Sequence, residues 1–134
     1  MIDERHEEQQ EEKAVVAARL ERDLKMAAGL RRNALADPIR AVRITAARGL
    51  ADIPDAQLTA DQIRLRQRGL TEFIAAQEAM ADMPSAQINL AQLQLELGKP
   101  QAAATHYRRA IAQDPASNAA RLGLARQLVA SRQL

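Results

Sequence analysis

The sequence predicts an all-α protein, a stack of antiparallel helix pairs, and three observations predict it. Gly69 and Ala103, Phe73 and Tyr107, and Ala76 and Ala110 recur at an interval of 34 residues. That interval is the length of one helix–turn–helix repeat. Ala supplies 29 of the 134 residues while one Phe and one Tyr are the only aromatics, so a core must come from closely crossing helices. Capping residues and Pro stand where helices should begin, and Gly or Pro where they should end.

The first element to justify is a helix over residues 3–29, rich in Glu, Gln, Ala, Leu and Arg. Val16, Leu20, Leu24, Ala27 and Ala28 give it an apolar stripe, and its first dozen residues read as a solvated end. Leu30 to Leu35 continue a helical face. Asp37-Pro38 then stops the chain and starts a new helix, Asp as N-cap and Pro at the first helical position. In that helix Val42, Ala46 and Leu50 fall four apart with Ile39 and Ala47 beside them, which predicts one buried face. Residues 52–58 form a connector. Thr59 and Gln62 have capping-box spacing and open a helix to about Ala81, with Ile63, Leu70, Phe73, Ile74 and Met80 toward one side. Ser85 is the expected cap of a helix running through Leu97. Gly98-Lys99-Pro100 makes the turn into a helix ending at Gln113, and residues 114–117 turn into a last helix from Asn118 to about Arg132.

Composition excludes several functions. The chain has no Cys, which removes disulfides, thiolate catalysis and Cys-ligated metals or haem. No apolar run is long enough to span a membrane, and Met1 to Glu8 does not read as a secretory leader. The net charge is only +2, divided as −3 over residues 1–30 and +5 over residues 31–134. That imbalance falls short of a nucleic-acid-binding signature. No nucleophile–base pair, phosphate-cradling loop or dinucleotide fingerprint is present, so no catalytic residue and no enzymatic activity is expected. His6 and His106 lack partners at a metal-site spacing, and both read as surface residues; no cofactor is expected.

Two resemblances sharpen the architecture. Leu30 to about Ile53, with Asp37-Pro38, Val42-Arg43, Ala46-Ala47 and Leu50, resembles a HEAT-like repeat. The resemblance implies that Asp37 caps a helix and that Arg43 pairs with an acid of a neighbouring unit. Residues 84–117 resemble one full tetratricopeptide repeat, with Leu90, Ala91, Gly98, Ala103, Tyr107, Ala110 and Pro115 in register. Residues 64–77 match a second helix only, and the helix from Asn118 a first helix only. Together these imply a right-handed α-solenoid: a charged N-terminal helix over 1–29, a HEAT-like unit and connector over 30–58, and a tetratricopeptide region over 59–134. Gln87 and Gln94 depart from the large apolar residues usual at their positions, which implies looser packing on the preceding unit. Gly123 is the one glycine with no turn or helix contact to explain it.

The tetratricopeptide resemblance implies a function: repeats of this kind bind a peptide or helix in the groove lined by first helices. Carried onto this sequence, the groove residues are Ser85, Ile88, Asn89, Gln92, Glu96, Leu122 and Arg126, with Leu95 adding apolar surface. Ile88, Ala119 and Gly123 stand where a carboxylate clamp would need Lys or Arg, so that mode is not expected. The last helix has nothing after it to cover Leu122, Leu128 and Val129. The expectation is a piece of a longer protein that dimerises through this end.

A narrower resemblance concerns Phe73 to Leu90. Together with residues 30–134 it is similar to the C-terminal helical region of bacterial multi-haem c-type cytochromes. That likeness implies an exported, periplasmic protein whose haems sit on Cys motifs elsewhere; this chain has no Cys to attach one. A rival reading rests on eight Arg against four Asp in residues 31–68, which suggests HEAT-like binding to a nucleic-acid backbone. No aromatic interleaves with those Arg residues for base stacking, and nucleic acid remains the less favoured partner.

Overall fold

The computed structural model describes residues 2–132, and all regular structure among them is helical. In order these are α1 (Ile2–Ala34), α2 (Arg40–Gly49), a 3-10 turn (Asp55–Gln57), α3 (Ala60–Glu78), α4 (Pro84–Glu96), α5 (Pro100–Gln113) and α6 (Asn118–Ala130). Each helix packs chiefly on the next in sequence, and α4 also touches α6. This is the contact pattern of a helical repeat stack, in which each unit touches only its neighbours.

α1 runs unbroken for 33 residues, about 50 Å at 1.5 Å per residue. The expected boundary at residue 30 therefore falls inside one helix. Every described side chain from Glu4 to Leu20 is exposed, so the helix projects from the stack and only its last turns pack on α2. Leu24 and Ala28, part of the expected stripe, have side chains outside the described residues.

The turn into α2 differs from the expected cap. The Ile39 amide donates to Asp37 Oδ1 at 2.8 Å, so the carboxylate closes a turn two residues on and reaches no first-turn amide of the helix. α2 then begins at Arg40, with Ile39 as an uncapped, extended N-cap. Ile39 precedes the first turn and is exposed rather than buried. Arg43 folds back to donate to the carbonyls of Asp37 and Pro38, at 3.1 and 2.9 Å.

α2 and α3 cross at a point that only a bare backbone allows. A Cβ on Gly69 would stand 2.4 Å from Ala47 Cβ and 3.1 Å from the Arg43 carbonyl oxygen. α3 opens with the capping box the spacing predicts: the Gln62 amide donates to Thr59 Oγ1 and the Thr59 amide to Gln62 Oε1. It ends at Glu78, so Met80 lies in the following turn and is exposed. Leu35, Ala46, Ala47, Leu50, Ala51, Leu70 and Leu93 form one core, flanked by Phe73 and Ile74. Arg66 is buried beside that core; its Nη1 donates to the carbonyls of Leu50 and Ile53, and its Nη2 pairs with Asp55.

The second half forms around α4 and α5. Met83 is the extended N-cap of α4 and Pro84 its first residue, so Ser85 lies inside the first turn and is not the cap. Gly98, at φ +74°, ends α4 in the left-handed conformation that Gly tolerates. The Gly98 amide donates to the Leu95 carbonyl at 3.0 Å and the Lys99 amide to the Gln94 carbonyl at 2.8 Å, the bonds of a Schellman stop. Ser117 caps α6 by accepting from the Ala120 amide. A second core gathers Ala91, Ala103 and Tyr107 with Ile88 and Leu124. α4 joins the two cores, presenting Leu93 to the first and Ala91 to the second.

Polar side chains span the junction between the halves. Arg48 of α2 sits 5.5 Å from the Phe73 ring centroid and pairs with Glu96 of α4. Asn89 Nδ2 donates to Gln77 Oε1 at 3.1 Å, and Gln113 Nε2 donates to the Ala81 carbonyl at 2.7 Å. α4 meets α3 far less extensively than it meets α5, as the departures at Gln87 and Gln94 implied, yet Gln87 itself is well satisfied. It is only 4% exposed, its Nε2 donates to the Ala81 carbonyl at 2.9 Å, and its Oε1 stands 2.9 Å from His106 Nδ1. With both ends of the amide bonded, its burial costs little. His106 is accordingly half-buried rather than a surface residue. Burial first, and then the Arg109 charge, lowers its pKa against the opposing pull of Glu78.

Candidate functional site

α4 and α6 lie side by side with α5 behind them, and the space between them is a groove of about 380 Å³. Gln92 and Leu95 of α4 line one side, and Ala119, Leu122 and Arg126 of α6 the other. Its floor is Tyr107, seen past Gly123. A Cβ on Gly123 would lie 2.4 Å from Tyr107 Cε1, 2.5 Å from Cζ and 2.9 Å from the hydroxyl. The glycine that sequence reasoning left without a reason therefore makes room for the aromatic ring. Ala91 and Ala103, fully buried, admit the same ring from the other side.

The residues expected to bind a partner divide into two groups. Gln92, Leu95, Leu122 and Arg126 line the groove, with Leu122 51% exposed. Ile88, Asn89 and Glu96 are spent on the fold instead. Ile88 packs on the second core, Asn89 bonds to Gln77, and Glu96 pairs with Arg48. Ser85 is exposed on the first turn of α4, away from the lining. Tyr107, Ala119 and Gly123 also line the groove. Sequence reasoning treated Tyr107 as packing, read Ala119 and Gly123 as the missing bases of a clamp, and left Gly123 otherwise unexplained.

The groove lining is Gln92, Leu95, Tyr107, Ala119, Leu122, Gly123 and Arg126. Burial raises the Tyr107 pKa, with Arg126 pulling the other way, so at neutral pH the phenol is uncharged. The remaining chemistry is one guanidinium, one amide and two aliphatic side chains on an open surface. On α6 beyond the groove Val129 is also exposed and Leu128 half-buried.

The Arg-rich segment is largely committed internally. Arg40, Arg43 and Arg68 all converge on Glu72, Arg64 pairs with Asp61, and Arg66 is buried against Asp55 and two carbonyls. The Arg43 hydrogen bond, and then the charges of the three arginines, hold the Glu72 pKa below its ordinary value despite partial desolvation. Arg43 thus reaches an acid on α3.

Residues 84–126 match the tetratricopeptide repeat family. The match begins with the first residue of α4, covers α5 and ends at Arg126 of α6, so it contains the whole groove. No curated protein and no solved structure matches the chain. With a tetratricopeptide repeat over that segment and an all-helical stack before it, the chain is a helical repeat protein. Repeats of this family are typically non-catalytic modules that bind other proteins. No helix among the described residues is long and apolar enough to cross a membrane.

Proposed function

We propose that this chain is a non-catalytic scaffold whose α4–α6 groove takes up a peptide or helix of a protein partner. The observation that carries the reading is the Gly123–Tyr107 contact. It lets the ring form the groove floor directly beneath α6 while Gln92, Leu95, Leu122 and Arg126 stay exposed on the walls. Leu95 and Leu122 bury apolar side chains of the ligand. Gln92 and Arg126 set its register, and Arg126 favours a segment with a carboxylate or free carbonyls beside its apolar anchors. The test is a crosslinking pull-down from extract of the source organism, read by mass spectrometry. A Gln92→Ala/Leu122→Ala/Arg126→Ala variant serves as control, with Asn89→Ala as a second bait. The groove variant loses the partner and Asn89→Ala keeps it; equal capture by all baits removes the groove as the site.

The Phe73–Leu90 stretch supports a second reading, in which this stack is the helical tail of an exported electron-transfer protein with its haems in another segment. A captured partner or parent chain carrying covalent haem supports that reading, and one without haem removes it. Duplex DNA binding is the least supported use, because the arginines it needs are engaged with Glu72, Asp55 and Asp61.

A further inference from the structure

More positive charge meets at Glu72 of α3 than the packing of α2 on α3 requires. Arg43 alone satisfies the carboxylate. Its Nη2 donates to Oε1 at 3.3 Å and to Oε2 at 3.1 Å, and its Nη1 donates to the carbonyls of Asp37 and Pro38. With its side chain 13% exposed, Arg43 is the inner, structural partner. Arg40, the first residue of α2, and Arg68, one turn before Glu72 on α3, approach the same carboxylate as well. Their Nε atoms stand 3.1 and 3.3 Å from it, and both side chains are 60% exposed. Among the described residues neither arginine pairs with another acid, and no hydrogen bond engages the Nη atoms of either.

One ionised carboxylate cannot neutralise three guanidiniums, so engagement with Glu72 positions Arg40 and Arg68 without cancelling their charge. Asp37, in the adjoining turn, has its carboxylate on the Ile39 amide, and counting it still leaves the cluster positive. Gathering like charges costs energy, and holding two long side chains in place costs entropy. Exposed ion pairs return little stability for that, so the fold alone does not account for the second and third arginines. What the arrangement provides is a pair of guanidinium forks fixed beside one another with their Nη groups unclaimed. Such forks match pairs of phosphate oxygens, and a phosphate group brings three oxygens and nearly two negative charges at neutral pH. We propose that Arg40 and Arg68, held by Glu72, form a site for a doubly charged phosphate group, free or carried as a monoester. Charge selects this ligand: a dianion offsets the excess, whereas a single carboxylate or phosphodiester leaves part of it. The site shares no residue with the α4–α6 groove and works independently of whatever fills that groove.

Nuclear magnetic resonance on the isotope-labelled full chain at low ionic strength tests this, with phosphoserine, inorganic phosphate and acetate as the probes. Phosphoserine or inorganic phosphate shifts the Nε–H signals of Arg40 and Arg68 saturably, and acetate binds at least about tenfold more weakly. The tighter of the two phosphates tells an esterified source from a free one. Backbone amide shifts of residues 39–43 and 68–72 read the same binding in the variants. Arg40→Gln/Arg68→Gln weakens it by about tenfold or more; both positions are exposed, and circular dichroism checks that the helices persist. Arg121→Gln, at an exposed arginine of α6, leaves binding unchanged. Shifts that never saturate overturn the proposal, as does acetate binding as tightly as phosphate. So does binding indifferent to the double variant or lost on Arg121→Gln. A short DNA duplex that binds these arginines more tightly than phosphoserine also overturns it, and gives them to a nucleic-acid backbone instead.

Discussion

Gly123→Ala is the perturbation whose effect the geometry fixes most tightly. The added methyl would sit 2.4 Å from Tyr107 Cε1, against about 3.5–4.0 Å for carbon atoms in ordinary contact. Either the ring or α6 must therefore move by more than 1 Å, roughly. Overpacking of this kind costs about 1–3 kcal/mol. Replacing a mid-helix Gly with Ala returns about 1 kcal/mol through helix propensity. The net expectation is a destabilisation of about 1 kcal/mol, or about 4 °C in melting temperature. Tyr107→Leu removes all three ring atoms that the methyl strikes, so in that background only the propensity gain remains. There Gly123→Ala stabilises by about 1 kcal/mol. Urea unfolding followed by far-ultraviolet circular dichroism on the four chains of the cycle reads the sign reversal. If Gly123→Ala has the same effect in both backgrounds within about 0.5 kcal/mol, the ring does not fill the space that the missing side chain leaves, and the account of the groove floor is wrong.

Arg66→Met leaves the carbonyls of Leu50 and Ile53 without their buried donor and is expected to destabilise by about 2–3 kcal/mol. Asp55→Ala, which removes a partner whose side chain is 70% exposed, costs less than about 1 kcal/mol; equal losses in thermal unfolding would refute this division. The lowered pKa of Glu72 makes its contribution pH-dependent with a definite sign. It is fully present above the ordinary value of 4.5 and lost as pH falls through the lower folded value. The stability gap between the natural chain and Glu72→Gln is therefore constant from about pH 7 to pH 5 and closes on further acidification. A gap that widens toward low pH would contradict the pairing with Arg40, Arg43 and Arg68.

Much of the fold was legible in local signals. The Thr59 capping box, the Gly98 stop and the Ser117–Asn118 start are set by residues within a few positions of one another. The 34-residue recurrence located Tyr107 and Ala103, both in the second core, and Ala110, which is also buried. The failures occur where a side chain has two possible local bonds or a long-range one. Asp37 could cap either a helix or a turn, and it bonds the amide two residues on, which delays α2. The burial of Gln87 was not legible because its partners, Ala81 and His106, come from a loop and another helix. The groove was half legible for the same reason. Repeat register places Gln92, Leu95, Leu122 and Arg126, but it does not say that Asn89 and Glu96 are drawn off by Gln77 and Arg48 across the junction. Gly123 carried a usable signal, a small residue without a turn, and its meaning required knowing where the Tyr107 ring lies.

Amide hydrogen exchange on the chain alone and bound to a captured partner peptide bears most directly on the central claim. The account predicts new protection in residues 88–96 of α4 and 118–130 of α6, with α1, α2 and the outer face of α5 unchanged. Protection confined to α1 and α2, or to the outer face of α5, would mean that the groove between α4 and α6 is not where this protein holds its partner.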